Sequence, residues 1–508
     1  MSFFATLQKN IEEINSLKMT ENGAIGYSTT GKKLLDMNFN VASYRKTNSI
    51  SIENDFDVAR DENEVLAIMW MFFVRDVRGG LGERRLFRVL FHHLIAVNPE
   101  AAAKLLTLIA EYGRWDDLII TTADTSLWTS AVEIIKNQLT LDQEGCRAGK
   151  PISLLAKWMP SERTSSQKTR RLSRKLADAL GMDIKVYNRT LSQLRNYLKI
   201  VESKMSAKEW SEIDYAAVPS KANLIYNNAF LRNDEERRRA YLGALSKGEA
   251  KINASTLFPH DIVHKYTNGG YWRFGNRVSV NDTLEALWEA LPVSKGLENV
   301  MVVVDGSGSM TTTIDSKSGV TALEVSNALG IYCSQFCSGE YKDKFITFSS
   351  RPQFVDLSTK KSLHAKLACA YQHDDCSNTN LEKVFDMVLQ TAIQSGATQD
   401  ELPNSILVIS DMEFDSATRG YSINKTLMGN IIGRFERSGY KMPRLVFWNV
   451  NSRTKTIPIK ENDLGVTLVS GFSVGIMQMI QSGQTDPYMN LVETITGKRY
   501  QPVLEALK

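Results

Sequence analysis

The stretch NVMVVVDGSGSM, residues 299–310, decides the fold of the C-terminal half of the chain. Its apolar run predicts a strand that is buried on both faces, as the strands of parallel sheets are. Asp305 ends this strand, and Ser307 and Ser309 follow on a loop whose glycines allow a tight turn. Ligands of parallel sheets bind at the carboxyl ends of the strands, so this loop is a candidate site.

Beyond this stretch, short β-branched runs alternate with amphipathic segments. This alternation predicts crossover units and a doubly wound parallel sheet. The predicted strands are Asn299–Val304, Lys344–Phe348, Ser405–Ser410, Arg444–Asn449 and Val466–Val469. The predicted helices are Ala322–Phe336, Asn380–Gln394, Lys425–Arg437 and Val474–Gln481.

Residues 1–295 show a different pattern, in which apolar residues recur at spacings of three and four and short links separate the segments. Paired helices without strands predict an α-solenoid. The fold class is therefore multidomain, with an α-helical domain over 1–295 and an α/β domain over 296–508. The helices predicted in the first domain include Glu62–Arg75, Arg84–Val97, Pro99–Tyr112, Ser130–Leu139, Gln167–Leu180, Tyr187–Val201 and Asp234–Leu245.

The polar residues after the first strand predict a metal site. One aspartate and two hydroxyls are hard oxygen ligands, which suit Mg²⁺, Mn²⁺ or Ca²⁺ rather than zinc. One loop cannot complete such a site, so other strand ends must contribute. Thr379 opens a helix in SNTNLEKVF, and Asp411 follows the strand ILVIS. A bare turn is the alternative, but the order of these loops favours a metal site formed by Asp305, Ser307, Ser309, Thr379 and Asp411.

This ordered set resembles the metal-ion-dependent adhesion site of von Willebrand factor A domains. The resemblance implies that Asp305, Ser307 and Ser309 bind the metal directly, that Thr379 binds directly or through water, and that Asp411 acts mostly through water. It also implies an open coordination position for an acidic group of a partner protein. The sequence departs from the family at SDMEFD, where Glu413 and Asp415 add negative charge.

A helical half followed by an A domain resembles the Ro autoantigen family, also called the TROVE class. In that family HEAT-like repeats form a ring that the A domain closes, and the ring binds structured and misfolded noncoding RNA. The segments RDVRGGLGERRLF, YGRWDDL and LLAKWMPSERTSSQKTRRLSRKL also resemble a Ro-related, uncharacterised family of microbes, viruses and some eukaryotes. The resemblance implies an RNA-binding scaffold or RNA-quality-control factor rather than an enzyme.

The charge distribution points to the same kind of partner. Residues 161–208 carry 12 basic and 4 acidic side chains, whereas residues 296–508 carry 20 and 22. A local basic patch indicates an anionic partner, and the rings of Tyr187 and Tyr197 are available to stack on unpaired bases. On charge alone a solvated helix face is equally plausible, and the Ro-like order favours RNA. The candidate RNA-binding residues are Arg163, Lys168, Arg170, Arg171, Arg174, Lys175, Arg189, Arg195 and Lys199.

Other features of the sequence exclude some classes of protein. The longest apolar run, residues 65–74, is too short to span a bilayer, and the N-terminal residues do not have the pattern of a signal peptide. Five irregularly spaced cysteines indicate a reducing, cytoplasmic setting rather than a disulfide framework. We expect a monomer. His260 and His264 share a helix face, but zinc would require further ligands.

Two alternatives to the RNA-binding scaffold stay open. In the first, the helices and the A domain both bind protein and the chain has no RNA partner. In the second, Asp411, Glu413 and Asp415 hold metal for phosphodiester hydrolysis. Two-metal hydrolysis requires clustered carboxylates. Hydroxyls dominate the candidate site, so the nuclease ranks last.

Overall fold

The run Val300–Asp305 forms β3, which lies at the centre of a mixed sheet and is buried along its whole length. The computed structural model describes residues 15–267, 279–314, 318–348, 351–374, 376, 377, 379–416, 427–458, 465–473, 476–481, 484 and 486–508, together with Phe3, Leu7, Gln8 and Ile11. Within these residues the same sheet has five further strands, β4 (Lys344–Phe348), β5 (Gln353–Asp356), β6 (Ser405–Ser410), β7 (Arg444–Asn449) and β8 (Val466–Ser470). The six strands lie in the order β5-β4-β3-β6-β7-β8.

Five of these strands are parallel and agree with the prediction to within one residue. The prediction of a purely parallel sheet is wrong at one edge, where β5 pairs antiparallel with β4. The sequence QFVD of β5 is too short and too polar to show a strand pattern. The chain places β4 on one side of β3 and β6 on the other, so the direction of winding reverses between β3 and β6. A reversal of this kind leaves a crevice at the carboxyl ends of the two strands, and parallel sheets bind their ligands in such crevices.

A fully buried helix, Ala322–Ser334, packs against β3, β4 and β6. Its N-terminus carries a capping box in which the Thr321 hydroxyl accepts from the Glu324 N–H, and the Glu324 carboxylate accepts from the Thr321 N–H. Gly330 allows the close approach to the sheet, because a Cβ there would lie 2.5 Å from Cγ2 of Val304. The helix ends two residues before its predicted end.

The chain divides into two compact units that each contain separate segments. Unit 1 consists of residues 1–64 and 254–495, and unit 2 of residues 65–253 and 496–508. The predicted boundary between 295 and 296 coincides with none of these junctions. The helix Ser49–Arg75 includes Asn63, whose φ of −163° and ψ of 100° are not helical. This interruption immediately precedes the junction at residues 64 and 65.

Unit 1 also contains a small hairpin, β1 (Leu17–Met19) and β2 (Ile25–Tyr27). The N–H of Tyr27 donates to the carbonyl of Ile457 over 2.7 Å, and the N–H of Ile457 donates back over 2.8 Å. The other helices of unit 1 are Lys33–Phe39, Pro259–Thr267, Asp282–Glu289, Leu363–Gln372, Leu381–Ser395, Leu427–Arg437, Met477–Gln481 and Pro487–Ile495. Of the predicted helices, residues 425, 426, 474 and 475 lie outside the described residues.

Unit 2 is helical throughout its described secondary structure. The predicted helix over 84–97 is confirmed, and the predicted helix over 99–112 is divided by a 3₁₀ turn at Leu106–Leu108. Besides residues 65–75 of the helix Ser49–Arg75, its helices are Arg84–Val97, Pro99–Leu105, Ile109–Tyr112, Trp115–Thr122, Trp128–Arg147, Leu155–Trp158, Gln167–Ala179, Ile184–Tyr197, Val201–Ala207, Ser220–Asn233, Glu235–Ser246 and Gln501–Leu507. The chain is thus a multidomain α and α/β protein. Among the described residues, none of the helices combines the length and apolarity that a bilayer crossing requires.

Candidate functional site

The carboxyl ends of β3 and β6 bring together four of the five predicted metal-binding residues. The Asp305 carboxylate accepts from the Ser410 hydroxyl over 2.5 Å and from the Ser307 N–H over 3.0 Å. The hydroxyls of Ser307 and Ser309 lie 3.0 Å apart, and Oδ1 of Asp411 accepts from the Glu413 N–H over 3.2 Å. Asp305, Ser307 and Asp411 have no exposed surface.

Thr379, the fifth residue, lies on a loop that packs directly against the serine loop. The N–H of Gly308 donates to the carbonyl of Ser377 over 3.0 Å, and the N–H of Cys376 donates to the carbonyl of Gly306 over 3.1 Å. A Cβ at Gly308 would lie 2.9 Å from the carbonyl oxygen of Cys376, so a larger residue would push the two loops apart. The glycines of GSGS therefore serve this contact between loops.

The site is electrostatically unusual because two carboxylates are buried side by side. Burial, followed by repulsion from Asp411, raises the pKa of Asp305 to about 8. Burial also raises the pKa of Asp411, although the Arg453 guanidinium opposes that effect. A bound cation would stabilise the charged form of both groups.

Arg453 is the main feature of the site that the sequence reasoning missed. Its Nη1 lies 3.0 Å from Oδ2 of Asp411, and its Nη2 lies 2.5 Å from Oε2 of Glu21 at the tip of the β1–β2 hairpin. Arg453 follows the end of β7, the strand next to β6. Its position after a predicted strand was a signal that could have placed it at this edge of the sheet.

Glu413 has a structural role that its place in the sequence did not reveal. Its buried carboxylate accepts from the N–H groups of Arg453, Thr454 and Glu21 over 2.7, 2.8 and 2.9 Å. Glu413 therefore fixes the loop after β7 and the hairpin tip. Asn22, also at the tip, donates to the Glu413 carbonyl over 2.7 Å and lies 3.4 Å from the Thr379 hydroxyl.

Asp415 and the two histidines make their described contacts with residues other than Asp305 and Asp411. The Asp415 N–H donates to the Thr379 carbonyl over 2.9 Å. His260 packs against the rings of Phe258 and Phe472, and Nδ1 of His264 lies 3.0 Å from Oε1 of Glu324. Within the described residues, His, Cys, Asp and Glu side chains form no group of three that could hold a metal ion. A cation at the sheet edge would consequently depend on the hydroxyl ligands.

The predicted RNA-binding residues lie on two neighbouring helices of unit 2, Gln167–Ala179 and Ile184–Tyr197, and on the segments next to them. Exposed side chains are presented by Arg163, Lys168, Arg170, Arg171, Arg174, Arg189 and Lys199. Two of the candidates form ion pairs: Arg174 with Glu162 at 2.7 Å, and Lys175 with Asp124. Arg170 donates to the Thr164 carbonyl over 3.2 Å.

Arg195 and Tyr187 face the interior of unit 2 instead. Nε and Nη2 of Arg195 donate to the carbonyls of Ala156 and Met159 over 2.8 and 2.9 Å. Burial lowers the pKa of Arg195. The Tyr187 hydroxyl donates to the Pro160 carbonyl. These two side chains hold the segment before the basic helices in place, so we leave them out of the candidate RNA surface.

Comparison with known proteins gives matches over both halves of the chain. Residues 299–498 match the model of a domain of unknown function, DUF7788, and residues 183–291 match that of a second, DUF2828. The chain is 28% identical over 530 residues to the Uncharacterized protein L728 of Acanthamoeba polyphaga mimivirus, and the match covers 96% of this chain and 89% of the relative. The chain is thus similar to this viral protein over nearly its whole length.

Proposed function

We propose that this protein is a noncoding-RNA-binding scaffold of the Ro type, in which HEAT-like helical repeats bind RNA and a von Willebrand A-like domain binds a partner protein through a divalent cation. The observation that carries the RNA proposal is a set of exposed cations on and beside the two basic helices. Among the described residues, no ion-pair or hydrogen-bond partner is present for the side chains of Arg163, Lys168, Arg171, Arg189 and Lys199. Such side chains are free to bind phosphates.

The test of RNA binding is a salt titration. Replacement of Lys168, Arg171, Arg189 and Lys199 by glutamine should weaken the binding of many RNAs alike, because phosphate contacts position a nucleic acid without reading its sequence. The slope of log affinity against log salt should flatten by about 0.7 for each single-strand phosphate that the variant no longer neutralises. The control replaces four exposed cations elsewhere in unit 2, Lys136, Arg239, Lys247 and Lys251, by glutamine.

Equal slopes in the wild type and the first variant would refute the proposed surface. No RNA binding by the wild type, together with cation-dependent binding of a partner protein, would favour a protein scaffold without RNA.

We also propose that the carboxyl edge of the sheet binds Mg²⁺, Mn²⁺ or Ca²⁺, with Asp305, Ser307 and Ser309 as direct ligands and Thr379 and Asp411 in support. The donor set fits a hard cation, since it consists of oxygens. The raised pKa of Asp305 supports the proposal, because its buried charge is poorly compensated by the chain itself. The bound cation would supply an electrostatic anchor for an acidic group of the partner.

The carboxylates themselves weigh against a nuclease. Among the described residues, Glu413 is saturated by backbone donors and Asp374, which lies against Gly306, accepts from Asn327 over 2.7 Å, so Asp305 and Asp411 are the carboxylates left for a cation beside the serines. A two-metal mechanism would require more of them.

The metal test uses Asp305→Asn, which removes the charge and keeps the shape. Calorimetric titration should show Mn²⁺ binding by the wild type and none by the variant. Asp356→Asn, on the exposed end of β5, is the matched control and should bind as the wild type does. Unchanged Mn²⁺ affinity in Asp305→Asn would refute the assignment. In the presence of a chelator and above pH 8, where Asp305 is charged, the variant should be at least as stable as the wild type, because it does not bury that charge.

A further inference from the structure

Three segments of unit 2 that lie far apart in the sequence converge on a single cluster of charged side chains. They are RDVRGGLGERRLFR (residues 75–88), GRWDD (113–117) and KW (157–158). Asp117 is fully buried and accepts from Nε of Arg75 over 2.7 Å and from Nε of Arg88 over 2.6 Å. Gly113 makes room for this carboxylate, because a Cβ there would lie 2.7 Å from Oδ2 of Asp117.

The neighbouring Asp116 holds the outer part of the cluster. Its carboxylate accepts from Nε and Nη2 of Arg114 over 2.8 and 2.5 Å and from Nη2 of Arg88 over 2.8 Å. The guanidinium of Arg114 also lies 3.8 Å from the centre of the Trp158 ring, an arrangement that fixes its plane. Both arginines keep about a fifth of their side-chain surface exposed, at 22% each.

Arg84 begins the helix Arg84–Val97 and lies one turn before Arg88, on the same face of that helix. Burial, followed by repulsion from Arg114 and Arg88, lowers the pKa of Arg84, and attraction from Asp116 opposes this effect only in part. Among the described residues no carboxylate is paired with Arg84, and the residue has an exposed surface. The cluster therefore holds four guanidinium groups against two carboxylates.

We propose that Arg84, Arg88 and Arg114 form a binding site for a phosphate group, distinct from the exposed surface of the two basic helices. Guanidinium groups match phosphate oxygens in geometry and charge. Asp116 and Asp117 orient Arg88 and Arg114 in advance, so a phosphate would meet donors whose positions are already fixed. An anion would also offset the repulsion between Arg84 and its neighbours. The phosphate could be a free or terminal monoester or an internal phosphodiester of nucleic acid.

The test measures binding of inorganic phosphate and of two versions of one single-stranded RNA, with a 5′-phosphate or a 5′-hydroxyl, to the full-length chain. Arg84→Gln should weaken phosphate binding about tenfold or more, as expected when one charge-assisted hydrogen bond is removed. Arg84→Glu should weaken it further. Arg239→Gln, an exposed arginine of unit 2 paired with Glu235, is the matched control and should have no effect.

The two RNAs distinguish a phosphate monoester from an internal phosphodiester, and the comparison with inorganic phosphate distinguishes the phosphate site from the proposed RNA-binding function. Weaker binding confined to phosphate and 5′-phosphorylated RNA indicates a monoester, and equal weakening for both RNAs indicates a phosphodiester; either supports the site. Unchanged binding of all three probes by Arg84→Gln and Arg84→Glu would overturn the site. If the wild type binds phosphate through Arg84 but binds neither RNA, the site stands and the RNA function fails.

Discussion

At the scale of single residues, the edge of the sheet is a region of concentrated negative charge that one arginine partly neutralises. Arg453 lies 3.0 Å from Asp411 and 2.5 Å from Glu21, and its own N–H donates to Glu413. A proposed metal ion and this guanidinium would stabilise the same carboxylates. The chain thus contains an internal cation that a divalent ion would have to work alongside or displace.

Replacing Arg453 by glutamine should therefore have two opposite effects. Without metal, the variant should lose about 1–3 kcal/mol of unfolding free energy, because Asp411 loses a charged partner while buried. With Mn²⁺, the metal should bind more tightly than it binds the wild type, because a competing cation is gone. Denaturant unfolding with a chelator and with Mn²⁺ measures both effects. A variant that loses stability and also loses Mn²⁺ affinity would show that Arg453 supports the metal instead of competing with it.

Glu324 predicts a defined response to acid. Burial would raise its pKa, but hydrogen bonds from His264, Thr267 and Thr321 outweigh that effect, so the pKa lies below its usual 4.5. A carboxyl group whose pKa is lower in the folded state stabilises the protein fully above its unfolded pKa and loses that contribution as the pH falls through the folded value.

Glu324→Gln should accordingly be less stable than the wild type by about 1–2 kcal/mol near pH 7, and the two should converge below pH 4.5. Urea midpoints between pH 3 and 7 provide the measurement. Glu401, which forms the same kind of capping box with Thr398 but is exposed, is the control and should show a much smaller loss on change to glutamine. A gap between wild type and Glu324→Gln that does not narrow at all as the pH falls below 4.5 would contradict this account.

At the scale of elements, the packing of the buried helix on β3 depends on one glycine. Gly330→Ala should destabilise unit 1 by about 1–3 kcal/mol, because the new methyl would overlap Val304 in a packed core. Gly433, in the helix Leu427–Arg437, has open space around it and is the matched control. Gly433→Ala should stabilise the same unit by about 0.5–1 kcal/mol. Thermal unfolding of both variants compares them; equal effects would show that the contact with Val304 is unimportant.

The elements that could be predicted from the sequence are those whose pattern is set by burial. The five parallel strands are continuous apolar runs because both of their faces are covered, and the helix over 84–97 shows its apolar face clearly. The two strands of the hairpin β1–β2 and the edge strand β5 were missed because each strand has only three or four residues. Such short strands form through contacts with distant parts of the chain, which the local sequence pattern does not show. The position of Asp305 and Asp411 at the edge of the sheet could be predicted, because each directly follows a predicted strand.

Charge patterns were less informative than apolar ones. In the run ERRRA, Arg238 looks like a solvated cation but is fully buried, and it bonds Asn223 and Asn227 among the rings of Tyr215, Phe230 and Tyr241. Arg195 likewise points into the protein, where it donates to the carbonyls of Ala156 and Met159. Which member of a basic run faces water depends on how helices pack, and single-residue composition does not contain that information.

At the scale of the whole molecule, each compact unit is completed by a segment from a distant part of the chain. Residues 496–508 belong to unit 2. Tyr500 is buried and stacks on Tyr112 at 5.6 Å, Arg499 forms an ion pair with the buried Asp76, and Val503 has no exposed surface. The short helix Gln501–Leu507 packs on the helix Pro99–Leu105.

Truncation after residue 495 should therefore weaken unit 2 and spare unit 1. We expect hydrogen exchange to accelerate in the helices between residues 65 and 253, while the strands β3, β6 and β7 keep their protection. Tyr500→Ala, a milder change, should cost about 3–5 kcal/mol in the same unit. Loss of protection in the sheet strands at the same rate as in the helices would show that the two units unfold together.

This interleaving also has a consequence for the time course of synthesis. The helices of unit 2 between residues 65 and 253 leave the ribosome before residues 254–495, but the residues that cover Tyr112 and pair with Asp76 follow only after all of that segment. Until then the ring of Tyr112 and the carboxylate of Asp76 stay uncovered. Chains that expose such surfaces bind chaperones or misfold. The order of translation therefore makes the closing of unit 2 a late event, and a ribosome stalled within the sheet-forming region would present an incomplete helical unit to the cell.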